Sequence, residues 1–279
     1  MPLDSAAVMP HNNLRLPDAL IVRHGPGPLL ARFILAADRA ARRRGISLRV
    51  RYDFEELVDL NRYYVERQLW YPLLNAFNPR HADLRRENAF WISGENENGE
   101  IVMTNACRIL DWQDTNLAEQ ARTLWYGSDA GQPLEITAEA AWEITGTVAW
   151  GGAAWIRPDQ RGKQLSYISG RTHKAFACAS FPIDWSFCYI GLPNATRGLA
   201  DTWGHKHLSR SIVYPGSGHP EQVVAYSSSV EFYSEIAAFM ERGGVLAPED
   251  FGATLPMGLE HIVTNTSPDG VFQGSISRS

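Results

Sequence analysis

A chain of 279 residues, 44% hydrophobic and 20% charged, can bury a sizeable core as one large or two small domains, which excludes a disordered or fibrous polymer. A net charge of −5 argues against broad nucleic-acid binding, and three scattered cysteines, Cys107, Cys178 and Cys188, make neither a disulfide framework nor a thiolate metal set. No apolar run reaches the roughly 20 residues that cross a bilayer, and Met1 to Asn13 lacks the basic start and apolar middle of a signal peptide, so a cytoplasmic chain is expected.

Met1 to Pro28, rich in Pro, Gly and Asn, reads as an irregular arm. Leu29 to Arg44 then places Leu29, Leu30, Phe33, Ile34, Ala37 and Ala41 at helical spacing. Arg42-Arg43-Arg44 suits the negative pole of that helix and Gly45 its left-handed stop, so the run reads as a charged helix end rather than a nucleic-acid patch. Ser47 to Tyr52 alternates as a strand, and Asp53 is placed to cap a helix over Phe54 to Trp70. Two β-rich runs, Ala89 to Gly94 and Glu100 to Trp112, are joined through Asn98-Gly99, a pair that tolerates the positive φ of a hairpin turn. Asp114 to Glu143 predicts helical pieces at Leu117 to Leu124 and Ile136 to Trp142, with a loop at Gly127 to Gly131 between them.

Thr147 to Ile156 is an apolar strand, and Ser166 to Ala179 an amphipathic helix. Asp184 to Leu192 alternates again, Ala195 to Trp203 predicts a helix ending at Gly204, and Ser211 to Tyr214 and Val223 to Val230 are late strands. No internal repeat is present, and Thr264 to Ser279 reads as a loose tail. The expected organisation is an N-terminal arm and helix over 1–46, a main domain over 47–235, and a C-terminal extension with its tail over 236–279.

Between that apolar strand and helix lies the most informative hexamer, Arg161-Gly162-Lys163-Gln164-Leu165-Ser166. Unpaired N–H groups at a helix start, the positive end of the helix dipole and two cationic side chains make a seat for a pyrophosphate. The run Trp155 to Ser166 resembles the acyl-CoA signature of the GCN5-related N-acetyltransferase (GNAT) superfamily, a strand followed by Arg/Gln-x-x-Gly-x-Gly/Ala. Arg161 meets its first place, while Gln164 and Ser166 stand where the family has small residues. The element order from Ser47 to about Val230 is similar to the family's too. The resemblance implies an α/β GNAT fold, a mixed central sheet with helices on both faces, here with an extra N-terminal helix.

It also implies transfer of an acyl group from acetyl-CoA or another acyl-CoA to the amine of a small molecule or amino acid. Arg161, Lys163 and the amides of Gly162, Gln164, Leu165 and Ser166 would hold the pyrophosphate, and a strand amide near Trp155 or Ile156 would polarise the thioester carbonyl. Asn194 takes the place of the family's strand-ending Asn, His205 that of an aromatic, and Ala200 falls nearest the usual acid tyrosine. Glu143 is the nearest carboxylate before the strand and the candidate general base, set against its reading as a solvated loop residue; Glu135 and Glu139 lie further back.

His205-Lys206-His207 is too sparse for a metal site, and none is expected. Cys178 and His173 lack an orienting partner, so a buried cysteine is expected there. Trp70-Tyr71, Trp112, Trp125-Tyr126 and Trp150 read as core, with those near the cleft available to line an acceptor or acyl pocket. Two further functions fit the chain. One is an acyl-carrier-protein-dependent synthase of N-acyl amino acids or acyl-homoserine lactones, docking its acidic carrier on the Arg39 to Arg44 end. The other is a non-catalytic acyl-CoA-binding module. The expected partner is a small amine, without nucleic acid or membrane, and a homodimer is compatible with the chain.

Overall fold

The computed structural model describes residues 13–126, 133–215 and 221–247. Within the arm expected to be irregular, Asn13–Arg15 form strand β1 and Leu16–Ala19 a single turn, α1, because β1 pairs along the edge of β2 (Ser47–Arg51), Leu14 opposite Val50. Helix α2 (Gly27–Arg42) buries the predicted stripe of Leu30, Phe33, Ile34, Ala37 and Ala41, and the chain turns at Gly45, φ +74°. Burying each of its larger apolar side chains contributes about 1.5–3 kcal/mol. Asp53 caps α3 (Phe54–Val65), its carboxylate accepting from the amides of Glu55 at 2.9 Å and Glu56 at 3.3 Å. That helix stops short of the expected Trp70: Gln68 sits at φ +57°, where no right-handed helix continues.

The hairpin forms as expected from β3 (Ala89–Glu95) and β4 (Ile101–Trp112), with Gly99 at φ +78°. Helix α4 (Leu117–Tyr126), strand β5 (Glu135–Ile136) and helix α5 (Ala140–Glu143) then fill the interval before β6 (Gly146–Ile156). The helix expected from Ile136 gives way to β5, since Glu135 and Ile136 pair with Val213 and Ile212. The predicted loop at 127–131 lies outside the described residues.

Helix α6 (Leu165–Ser180) and strand β7 (Trp185–Gly191) follow. The single helix expected over Ala195 to Trp203 is two separate turns, α7 (Leu192–Ala195) and α8 (Leu199–Thr202), because Gly198 takes φ +80° between them. Strands β8 (His207–Val213) and β9 (Gln222–Ser228) lead into a helix not anticipated, α9 (Ser229–Arg242). The Ser228 side chain and the N3 Glu231 cap it reciprocally, a capping box. The predicted tail falls outside the described residues.

The nine strands of the described residues join one sheet in the order β1-β2-β3-β4-β6-β7-β9-β8-β5, antiparallel throughout except for β6 beside β7. The two-residue period of a strand sends alternate side chains to opposite faces. Ala149 joins the core beneath α2, α6 and α9 with Leu48, Ile92 and Phe176. Its neighbours Val148 and Trp150 join the other, beneath α3, α4 and α5, with Trp91 and Phe187.

Candidate functional site

The parallel pair β6 and β7 holds from Val148 opposite Trp185 to Gly151 opposite Cys188 and then parts, leaving residues 152–156 with an open edge. On the other edge, Thr104 faces Trp155 and Ala106 faces Gly152, so Ala153 and Ala154 oppose the single residue Asn105. This is a β-bulge, which bends its strand and so accounts locally for the separation. Ala153 sits at φ +49°, and its carbonyl accepts from Thr104 Oγ1 at 2.7 Å. Gly151 passes so close over His173 that a Cβ there would stand 2.6 Å from Nε2.

Beyond β6, a short 3-10 turn (Pro158–Gln160) leads to the hexamer and α6. Gly162 at φ +83° and Gln164 at φ +58° are both left-handed, and no side chain caps the helix. Among the described residues, the N–H groups of Gly162, Lys163, Gln164, Leu165 and Ser166 find no acceptor within the protein. Five successive main-chain donors thus lie at the positive end of a 16-residue helix, a place that attracts phosphate oxygens. Arg44, just past the end of α2, braces this turn: its Nε donates to the Lys163 carbonyl at 2.8 Å and its Nη2 to Gln164 Oε1 at 3.0 Å.

The turn forms one end of a cleft of about 750 Å³. Eight of the nine expected binding residues line it: Trp155 and Ile156 from β6, Arg161, Gly162 and Gln164 from the turn, Leu165 and Ser166 from α6, and Asn194 from α7. The ninth, Lys163, is not among the lining residues; its Nζ donates to Gln160 Oε1 at 2.6 Å. The segment after α3 supplies a wall that the sequence only hinted at. The Trp70 ring stacks on Trp155 with centroids 4.9 Å apart, Trp155 Nε1 donates to the Leu69 carbonyl at 3.0 Å, and Tyr71 stands 82% exposed at the rim. Trp112, Trp125 and Trp150 are buried core residues away from this cleft.

Glu143, the candidate base, does not line the cleft. It ends α5, ahead of β6, and residues 146 to 154 alone span roughly 26 Å at ~3.3 Å per residue. Its charge acts on Tyr226 of β9 instead, where burial first and then Glu143 raise the phenol pKa. Glu135, paired into β5, and Glu139 do not line it either, and among the described residues no Asp or Glu does. Ala200, nearest the place of the usual acid tyrosine, is buried.

The remaining candidates are structural. His205 is buried with Nε2 3.3 Å from Cys188 Sγ, while His207 pairs with Glu231 at the surface; no cluster of three metal-ligating side chains exists among the described residues. Burial pushes the Cys178 and Cys188 thiols up to about 12, so neither is a nucleophile at neutral pH. The basic end of α2 is partly tied down within the fold, Arg42 to Asp38 at 3.0 Å and Arg44 to the turn. No helix among the described residues is long and apolar enough to cross a membrane.

The run β2-β3-β4-β6-β7-β9-β8, one parallel pair parting beside a bulged strand, and an uncapped helix at the mouth of the gap decide the architecture. This α/β architecture, a mixed open sheet flanked by helices, is consistent with the GNAT fold. The extra helix α2 precedes the first strand of that fold, as expected. Neither a family model nor a curated protein matches the sequence. Among solved structures, the chain is similar to RimJ of Mycobacterium smegmatis in complex with CoA-disulfide, at 12% identity over 69% of this chain and 89% of that one, TM-score 0.39. It is similar to a mutant of the spermidine N-acetyltransferase SpeG from Vibrio cholerae, at 9% identity over 67% and 96%, TM-score 0.42. It is also similar to FeeM, an N-acyl amino acid synthase from uncultured soil microbes, at 14% identity over 67% and 90%, TM-score 0.40.

Proposed function

We propose that the protein is an acyl-CoA-dependent N-acyltransferase whose acceptor is the primary amine of a small molecule or amino acid. The observation that carries this reading is the row of five free N–H groups, Gly162 to Ser166, at the mouth of the gap between β6 and β7. Those donors and Arg161 hold the pyrophosphate, so binding energy from a non-reacting part of the donor positions the thioester. The open edge of residues 152–156 then presents main-chain amides to the thioester carbonyl, fixed in place by the bulge and aimed where negative charge develops. Only a neutral amine attacks, and with no carboxylate among the described residues that line the cleft its proton leaves to water.

Isothermal titration tests the donor. Acetyl-CoA is expected to bind the wild type in the micromolar range, and Arg161→Glu, which reverses a charge beside the phosphates, to weaken it by tenfold or more, equivalent to about 1.4 kcal/mol. A wild type that binds no CoA ends this reading. The absence of an acidic side chain among the described cleft residues favours a second one, a module that binds acyl-CoA without turning it over. Release of free CoA thiol in the presence of any amine excludes that alternative.

A further inference from the structure

A second cavity, of about 390 Å³, lies at the opposite end of α6 from the turn that precedes this helix, roughly 24 Å away along its 16 residues. Its apolar lining is Ala19 and Ile21 with three rings, Phe90 of β3 and Phe176 and Phe181 at the end of α6; Phe90 and Phe176 are buried, so Ile21, Phe181 and Ala19 carry the accessible part. Two cations, Arg23 and Arg86, share the lining with the Tyr52 phenol. The Arg86 guanidinium lies 4.8 Å from the centre of the Tyr52 ring. Burial raises the Tyr52 pKa, and the charges of Arg86 and Arg23 both act on it in the opposite direction, so the two cations converge on one phenol. Neither arginine forms an ion pair with a carboxylate among the described residues. Glu87 also lines the cavity, which leaves its rim with one excess positive charge, two arginines against one glutamate.

The arm is anchored there by its main chain. The N–H groups of Arg23 and His24 both donate to the Ala179 carbonyl, at 2.7 and 3.1 Å, which occupies the end of α6 and leaves the Arg23 guanidinium available. Two guanidinium forks without a carboxylate partner among the described residues, Arg86 hydrogen-bonded to the Tyr52 phenol, beside the apolar surface of Ile21 and Phe181, make a site that is anionic-selective at one end and apolar at the other. The volume falls within the range of small-molecule sites. Bare phosphate would leave the apolar surface uncovered, and a neutral hydrocarbon would leave both cations without a carboxylate.

We propose that this cavity binds a small monocarboxylate with an apolar body, an aryl or medium-chain alkyl acid, as a site separate from the cleft. The carboxylate takes the two arginines and the tyrosine hydroxyl, and the apolar body lies on Phe181, Ile21 and Ala19. The inference stands whether or not the cleft binds CoA.

Titration of the full-length protein with phenylacetate, inorganic phosphate and 2-phenylethanol tests it. Phenylacetate is expected to bind, with phosphate and the uncharged alcohol each weaker by roughly tenfold or more, because each lacks one half of the recognition. The Arg23→Gln, Arg86→Gln double variant is expected to weaken phenylacetate by roughly tenfold or more, while Arg161→Glu leaves it unchanged. Should the double variant fail to fold, Arg86→Lys, which keeps the charge and loses the fork, is expected to weaken it by about fivefold. No phenylacetate binding to the wild type, binding indifferent to the arginine substitutions, or binding lost in Arg161→Glu would each overturn the proposal, the last by placing the acid in the cleft.

Discussion

Arg44 shows how a single side chain far along the chain fixes the main-chain geometry of the turn before α6. Gln164 holds φ +58°, a conformation that costs a residue with a Cβ about 1–2 kcal/mol. Arg44 offsets this through its bonds to the Lys163 carbonyl and to Gln164 Oε1, each contributing about 1 kcal/mol net. Arg44→Ala is therefore expected to weaken acetyl-CoA about three- to tenfold, measured by titration, without touching any group that contacts the thioester. Adding Gln164→Gly to Arg44→Ala is expected to recover part of the loss, since glycine enters the left-handed region freely; no recovery would show that Arg44 acts otherwise. The turn itself was legible because its residues are contiguous and its chemistry local. Arg44 was not, standing 119 residues from Lys163, and neither was the remoteness of Glu143, a distance that the length of β6 sets.

Elements that carry their own signals were read correctly, and those that exist only through a partner were not. Asp53, Asn98-Gly99 and the apolar stripe of α2 act within a few residues of the structures they specify, whereas β1 and β5 are three- and two-residue strands stabilised by pairing with β2 and β8. The miss at α9 has a different cause. Its capping box, Ser228 with Glu231, and its buried Phe232, Ile236 and Phe239 stand at helical spacing, but the strand expected over Val223 to Val230 takes in the cap Ser228, and no element is expected over the residues that follow. Packing of α6 on the segment after α8 depends on one such unmarked contact: a Cβ on Gly170 would meet the Cα of Trp203 at 2.7 Å. Gly to Ala inside a helix ordinarily stabilises by up to ~1 kcal/mol. Gly170→Ala is expected to have the opposite sign, a loss of about 1–3 kcal/mol in urea unfolding, with weaker acetyl-CoA binding because Trp203 lines the cleft. A stabilised variant would refute the close approach.

Across the whole molecule, the sheet's covered face is locked by charge and imidazole rather than by apolar packing alone. Arg171 of α6 pairs with Glu235 of α9 at 2.7 Å, both side chains almost wholly buried, and donates to the Thr202 and Asp201 carbonyls at 2.6 and 3.2 Å. Glu235→Ala leaves that guanidinium uncompensated and is expected to cost about 3–5 kcal/mol in urea unfolding, far more than an exposed pair. Beside it lie two buried histidines. Burial, followed by the charge of Lys174, lowers His173 to about 3 and holds His205 well below the ordinary histidine value. Both are neutral in the folded protein, while in the unfolded chain both take up a proton below about pH 6.5. The unfolded state then binds more protons, so the folded state loses stability as pH falls from about 6.5 towards 3, by up to about 2.7 kcal/mol per pH unit for two protons. Carboxylates add their own acid dependence, and a substitution separates the two. In His173→Leu the slope of unfolding free energy between pH 6 and pH 4, measured in urea, is expected to fall by about 1.4 kcal/mol per pH unit, one proton's share. An unchanged slope would mean that His173 is protonated in the folded protein, and that this face tolerates a buried cation beside Lys174.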